Sequence, residues 1–482
     1  MLVVVNLLRT ALAATLGLAA IGHGQGLPDR VLVGYWHNWT STSTKQPLRW
    51  VPPAYDVVNV SFAIPATRLG ADMRFTPSPS MYTSVQAFVN DVRALQAKGK
   101  KVLISIGGGA DPVHLDRAAD VQTFVTSMLS IIRTYGFDGM DIDLEGSSLT
   151  LSNGDRDFRK PTSPRIVNVI AGVRALLKQL PASFLLTAAP ETAFVQGGYG
   201  TYAGIWGAYL PVLHALRDRL TFVHVQHYNS GSMYGRDGNT YRPATADFHV
   251  AMADSLLAGF PVDRWGLNLW FPPLDADQVA IGLPASTRAA GNGYTAPNVV
   301  HGALDYVILG KPTAGTYRLS GPGFPRFRGL MTWSINWDVE AKQAFSTPHR
   351  RYFDSLFLRA SSETVRETGG SIDFTLRAGC ANAHRSYLLL AGVTGTQPGT
   401  PLPGGRTLLP LNLDPFTLLV LDPRLGTVFR GFTGWLDAQG SATARLSLPP
   451  VPGLRGLRMD YAFTLPQSWG LASNPRRVTI VP

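Results

Sequence analysis

Residues 137–146 read Phe-Asp-Gly-Met-Asp-Ile-Asp-Leu-Glu-Gly. Within them Asp141, Asp143 and Glu145 alternate with Met140, Ile142 and Leu144. Successive side chains of a strand point to opposite faces, so this spacing predicts a strand with the carboxyls on one face and the apolar groups on the other. Like charges about 6–7 Å apart along a strand repel, and burial makes each ionised form costlier. Proton sharing and raised proton affinity follow, which is the state a general acid needs near neutral pH. A solvated acidic face, or a site for Mg²⁺ or Ca²⁺, would use the same residue types. No other acid cluster in the sequence completes a metal cage, and Gly136-Phe-Asp-Gly139 before the acids is unusual for a solvated face.

Short β-rich runs recur on either side of the decapeptide. Val31–Trp36, Val57–Phe62 and Lys101–Ile106 precede it. Gly139–Glu145 is the fourth run, and Phe184–Pro190, Thr221–Tyr228, Gln278–Leu283 and Gly329–Ile335 follow. Helical periodicity fills the gaps, as at Ser84–Ala97, Val121–Tyr135, Ile166–Leu180 and Asp247–Leu257. Strands alternating with helices over about 330 residues predict an α/β fold, a (β/α)₈ TIM barrel, with its chemistry at the C-terminal ends of the strands. Beyond Arg359-Ala-Ser-Ser362 the helical period disappears. Ile372–Leu376, Tyr387–Val393, Thr407–Leu411, Phe416–Leu421, Ala442–Leu448, Leu457–Thr464 and Val478–Val481 read as strands between Gly, Pro and Asn/Asp turns. The expectation is a barrel over residues 27–358 and a C-terminal all-β, sandwich-like accessory domain over 365–482. Trp435, Tyr461 and Trp469 are its candidate platforms for carbohydrate.

The chain has 482 residues, of which 45% are hydrophobic and 16% charged, enough for a large core and a second domain. Its net charge of +11 is spread thinly; Lys98-Gly-Lys-Lys101, just before a strand, reads as a helix C-terminus rather than a nucleic-acid patch. Residues 1–24 read as a secretory signal: Arg9, an apolar run Ala11–Ile21, then the small residues Gly22 and Gly24. That run is short for a membrane span, and no later segment spans one. A secreted, extracellular protein is expected, with no nucleic-acid or membrane partner. Cys380 is the sole cysteine, which excludes an intrachain disulfide; a buried, inert thiol is expected.

Asp138-x-x-Asp141-x-Asp143-x-Glu145, preceded by Ser105-Ile-Gly-Gly108, resembles the catalytic motif of family-18 glycoside hydrolases. The likeness runs over residues 31–355 and is nearest the family's bacterial chitinase D type. It includes Val33-Gly-Tyr-Trp-His-Asn-Trp39, Ala189-Pro-Glu-Thr192, Val225-Gln-His-Tyr-Asn229 and Gly329-Leu-Met-Thr-Trp-Ser-Ile-Asn-Trp337. The resemblance implies hydrolysis of chitin and chito-oligosaccharides, with the substrate's own acetamido oxygen attacking the anomeric carbon. It assigns Glu145 as general acid and then base, Asp143 as its partner toward the acetamido N–H, and Asp141 as the residue that holds Asp143 and shares its proton. By the same carry-over Tyr228 donates its hydroxyl to the acetamido oxygen. Trp333 floors the subsite where the sugar distorts, and Tyr35, Gln226 and Asn229 bind or position sugar. Asp138 fixes the strand entry, and Ser105, Gly107 and Gly108 shape the end of the third strand. Trp36 points away into the core.

Asn229 stands where another branch of the family has Asp, which places the chain with the Tyr-Asn branch. Exo-acting relatives insert an α+β subdomain between the seventh and eighth strands. Here Pro284–Arg328 has room for one helix, about Asn298–Leu309, so an open groove, endo cleavage and some transglycosylation are expected. No cofactor or metal is expected, and a monomer is. An endo-β-N-acetylglucosaminidase acting on N-glycans, or an inactive lectin of the same fold, are the alternatives; retention of all four catalytic side chains argues against the lectin.

Overall fold

The computed structural model describes residues 27–40, 45–405 and 407–482. The signal expected over residues 1–24 lies outside them. Eight parallel strands close into a barrel. They are β1 (Val31–His37), β2 (Val57–Pro65), β3 (Lys101–Gly107), β4 (Gly139–Asp143), β5 (Leu185–Ala188), β6 (Phe222–Gln226), β7 (Val279–Pro284) and β8 (Gly329–Trp333). Closure is direct: β1 pairs with β8 through Val31↔Gly329 and with β2 through Val33↔Val57.

Helices wrap the outside. They are α1 (Val85–Gln96), α2 (Ala118–Tyr135), α3 (Pro164–Leu177), α4 (Leu210–Leu216), α5 (Ala246–Ala258), α6 (Pro297–Leu309), α7 (Ile335–Glu340) and α8 (Ser346–Asp354). Capping chemistry sets several ends. Ser84 caps α1 by accepting from Ala87 N at 3.2 Å, and Gly136, at φ 70°, ends α2 in a left-handed turn that aims the chain into β4. The helices α4, α7 and α8 were not foreseen; the first two are only 7 and 6 residues long, too short for a strong apolar period.

Strand alternation divides the core in two. Val31, Val33, Tyr35, Val57, Leu103, Phe222 and Met331 pack inside the barrel. Leu32, Trp36, Met140, Ile142 and Leu144 face the helices. Each such buried apolar side chain is worth roughly 1.5–3 kcal/mol relative to exposure, so a one-residue slip of β4 would be prohibitive: it would swap carboxyls for apolar groups. Trp36 is in the core as expected, its indole N–H donating to Gln46 O at 2.8 Å. A register shift in β2 between Val60 and Ala63 turns Phe62 toward the barrel mouth.

From Leu358 onward the chain is mostly antiparallel. A four-stranded sheet runs Leu358–Ala360, Gly370–Arg377, Ser441–Leu448, Phe429–Arg430, and a five-stranded sheet runs Thr364–Arg366, Arg476–Val481, Arg458–Thr464, Ser386–Gly392, Thr433–Trp435. Phe374 of one sheet meets Tyr461 of the other at 4.7 Å between ring centres, so their inner faces form a shared core. The first of these strands begins before residue 365, because Leu358–Ala360 pairs with Phe374–Leu376.

Three expectations for this region fail. Phe416–Leu421 is not a strand: Pro415–Val420 is helical, started by Asp414, whose carboxylate accepts from Phe416 N at 2.9 Å. Tyr461 is no platform, being wholly buried, while Trp435 is 68% exposed. Cys380 is a free, half-buried thiol with Sγ 3.9 Å from Gly310 O, less enclosed than foreseen. Among the described residues no helix is long and apolar enough to cross a membrane, and no group of three or more His, Cys, Asp or Glu is placed to hold a metal ion.

Candidate active site

The inward face of β4 carries Asp141 and then Asp143, and Glu145 follows just beyond the strand. Asp141 lies deepest and is fully buried. Its Oδ2 accepts from Tyr35 OH at 2.5 Å and Ser105 Oγ at 2.7 Å, and its Oδ1 from Thr187 Oγ1 at 2.6 Å. His224 Nε2 lies 3.2 Å from Oδ1 but off the hydrogen-bond line, so that contact is electrostatic. Burial alone would raise this carboxyl's pKa; the His224 contact and the Thr187 and Tyr35 bonds outweigh it and hold Asp141 below the usual carboxylate range.

Asp143 is the opposite case. Burial comes first, then the charges of Glu145 and Asp141, and together they push its carboxyl well above the usual range. A side-chain hydrogen bond links it to Glu145. Asp141's oxygens, by contrast, are committed to hydroxyl donors on β1, β3 and β5. Gln226 completes the arrangement. Its Nε2 lies 3.0 Å from Asp143 Oδ1, 2.9 Å from Glu145 Oε1 and 2.9 Å from Ala189 O. The amide thus touches both acids.

Backbone supports hold the β4 end in place. Gly108 N donates to Asp143 O at 2.7 Å. A Cβ on Gly107, which sits at φ 95°, would come within 2.6 Å of that same oxygen, so only glycine lets β3 approach so closely. The Tyr209 hydroxyl takes Leu144 N–H at 2.7 Å and donates to Ile142 O at 3.2 Å. Asp138 lies at the other end of β4: its Oδ2 accepts from Val102 N at 2.8 Å and Gln96 Nε2 at 3.0 Å.

The mouth above the acids is aromatic. Trp333, half-buried at the end of β8, stacks parallel to Phe62 at 6.0 Å, and His37 lies 4.9 Å from it. Trp39 stacks on His37 at 4.4 Å. Tyr35 contributes its ring edge to Trp333 at 5.5 Å but is buried beneath it, so it meets Asp141 rather than the open groove. Tyr228 is buried beside the acids; burial and then the charges of Asp143 and Glu145 push its hydroxyl well above the normal tyrosine range, so it stays a donor. Asn229 is exposed at the rim at φ 48°, and its Oδ1 accepts from Gly291 N at 2.8 Å.

Besides Tyr209 and the aromatics Phe62, His37 and Trp39, three polar members of this site were not assigned from the sequence: Thr187, His224 and Glu191. Thr187 and His224 fall on the inward face by the same period-two spacing that found Gln226, and that rule could have found them. Glu191 follows β5 inside the quoted Ala-Pro-Glu-Thr motif and bridges to Gln226 through the backbone. Burial, then repulsion from Glu145, pushes its pKa up to about 7.

Residues 31–345 match the profile of glycosyl hydrolases family 18. Chitinase Chi52 of Paenibacillus xylanexedens is 52% identical over 335 residues, 69% of this chain and 63% of that protein. Chitinase D of Niallia circulans is 53% identical over 336 residues, again 69% of this chain and 63% of that protein. The chain thus spans about 63% of the length of these curated relatives. A solved family GH18 chitinase from Chromobacterium violaceum has the same fold at 37% identity and TM-score 0.62, covering 70% of this chain and 88% of that one.

Proposed function

The chain belongs to glycosyl hydrolase family 18, and from that premise we propose that it is an exported, endo-acting chitinase that cleaves β-1,4-linked N-acetylglucosamine polymers with retention. The barrel forms the catalytic unit, and the β-rich region from Leu358 onward is an accessory domain. The observation that carries the reading is geometric: the Gln226 amide lies 3.0 Å from Asp143 Oδ1 and 2.9 Å from Glu145 Oε1, above a buried Asp141 whose oxygens accept from Tyr35, Ser105 and Thr187.

Glu145, half-buried and facing the groove, gives its proton to the glycosidic oxygen as the C1–O bond breaks. The acetamido carbonyl oxygen of the same sugar forms the new bond to C1, giving an oxazolinium ion. Asp143 accepts the acetamido N–H and balances the positive charge, while the Tyr228 hydroxyl donates to the acetamido oxygen. Water then attacks C1 and surrenders a proton to the Glu145 carboxylate. The C1–O bond of the oxazolinium breaks, and the configuration at C1 is restored. Trp333 offers the apolar face on which the distorted sugar rests, and Asn229 holds the rim loop beside it.

Between β7 and β8 the only helix is α6, which supports an open groove, endo cleavage and access for an acceptor sugar in place of water. The apolar run Ala11–Ile21 supports export. The test is Glu145→Gln on a chitin hexamer, with product anomers followed by NMR. Turnover is expected to fall by about 10²–10⁴, with the β anomer released first by the unmodified protein. Hydrolysis that survives the substitution, inverted product, or cleavage of a high-mannose glycoprotein in preference to the hexamer would each reject the assignment.

A further inference from the structure

A second sugar-sized site lies outside the barrel mouth. The antiparallel hairpin Phe260–Val262 with Leu269–Phe271 docks on the loop that follows β5, through Asp263 N to Gly198 O at 2.8 Å and Arg264 N to Tyr199 O at 2.9 Å. Beside it opens a cleft of about 460 Å³, walled by this hairpin, by Arg236 and Asp237 of the loop after β6, and by Tyr317–Ser320. It shares no lining residue with the acids, and its size is in the range of small-ligand sites.

We infer that this cleft binds a pyranose unit of the same N-acetylglucosamine polymer, with the Trp270 indole as its stacking surface; the identity of the polymer rests on the proposed function. Trp270 is 50% exposed although it lines a concavity. One side of its ring is built in. Gly259 sits at φ 76°, and a Cβ there would come within 3.0 Å of the indole Nε1 and Cζ2, so the ring lies against bare backbone. The Arg236 guanidinium, 5.8 Å from the ring centre, steadies it. The rest of the ring faces solvent, and Trp265 on the same hairpin is 65% exposed. Trp265 meets Tyr234 edge-on at 5.2 Å, and Tyr234 stacks on Tyr199 at 5.2 Å, so the aromatic surface continues along the rim.

Three arginines and one aspartate line the cleft, and Arg264 and Arg318 bond only neutral oxygens and keep their charge, so an anion is the competing ligand that the salt arm of the experiment distinguishes. Arg236 is committed to Gly259 O, Ser320 Oγ and Asp254. Arg318 Nη1 donates to Gly315 O at 3.0 Å and Tyr317 O at 3.2 Å. Asp237 is occupied by Tyr241 OH at 2.5 Å and Asn239 Nδ2 at 2.9 Å. Beside the indole the Asn268 amide, joined to Arg264 at 3.1 Å, offers a planar polar edge suited to hydroxyl and acetamido groups.

The experiment is adsorption to insoluble chitin in the Glu145→Gln background, where bound polymer is not consumed. Both proteins keep the same barrel mouth, so the difference reads Trp270 alone. Trp270→Ala should weaken the dissociation constant about threefold to tenfold, the size of one aromatic stacking contact, and Trp270→Tyr should restore most of it, with melting temperatures matched. Unchanged adsorption in Trp270→Ala overturns the site. So does adsorption that salt abolishes while Trp270→Ala leaves it intact, since that marks arginine-led anion binding. Failure of the underlying reading looks different: the unsubstituted protein would then not cleave chitin oligomers at all.

Discussion

Replacing Gln226 with Met keeps the bulk of the side chain and removes both amide protons. In the structure that amide lies within 3.0 Å of Asp143 Oδ1, Glu145 Oε1 and Ala189 O. An amide nitrogen has two protons, so these three acceptors share two donors. Taking one full bond to the acid pair, and about 1.5–3 kcal/mol for a bond to a charged group, the expected loss in kcat is about 10- to 150-fold at a barrier cost of 1.36 kcal/mol per decade. KM should hold, because the amide touches the acids and not the groove. The donor also favours the ionised form of the pair. Without it the pair keeps its second proton to higher pH, and the acid limb of the kcat profile should move toward neutrality. The assay is steady-state cleavage of a chromogenic chito-oligosaccharide across the pH range, with thermal melting as a check on folding. A folded variant with native kcat and an unmoved acid limb would refute the reasoning; a pure rise in KM would place the amide on the sugar instead.

Two further outcomes can be read from the titrating groups. Glu191, held at about 7 by burial and by Glu145, becomes a further negative charge near the acids as pH rises through neutrality and raises the proton affinity of Asp143. Glu191→Gln should therefore move the alkaline limb of kcat/KM to lower pH; an alkaline limb that stays in place removes Glu191 from the site's electrostatics. His349 is buried, its pKa pushed down to about 3 by burial and then by His301. It stays neutral in the fold while the unfolded chain protonates it below about 6.5, so stability is complete above that value and falls by about 1.4 kcal/mol per unit as pH drops toward 3. His349→Phe should flatten the stability slope between pH 6 and 4 by about that amount in urea melts, and an unchanged slope contradicts the burial argument.

The barrel was legible because its strands are short, β-branched and regularly spaced, and because strand period divides inward from outward residues without reference to anything else. The same logic put Asp141, Asp143 and Glu145 on one face, while the contact of Gln226 with them came only from the structure. Period says which face a side chain occupies but not how deep it lies, and depth decided the roles. Tyr35 and Trp333 are both inward and both aromatic; one lies two residues before the end of β1 and becomes a donor to Asp141, the other closes β8 and stays at the mouth. Helix Pro415–Val420 was misread for a related reason. Phe-Thr-Leu-Leu-Val looks like a strand by composition, yet the Asp414-Pro415 pair ahead of it supplies a cap and a first-turn proline, and local capping outweighs propensity over so short a stretch.

The division of labour among the acids was beyond the sequence for a physical reason. Three carboxyls in alternation are equivalent on paper, and which one keeps its charge depends on donors supplied by other strands. Tyr35 comes from β1, Ser105 from β3 and Thr187 from β5, and all converge on Asp141, leaving Asp143 with Glu145 and one amide. A hydroxyl that donates to a buried carboxylate stabilises its ionised form, while a neighbouring carboxylate does the reverse. The barrel thus sorts like residues into unlike states by depth: the lowest acid is saturated and fixed as an anion, and its charge raises the proton affinity of the one above. The proton is thereby kept at the mouth, where a glycosidic oxygen can reach it.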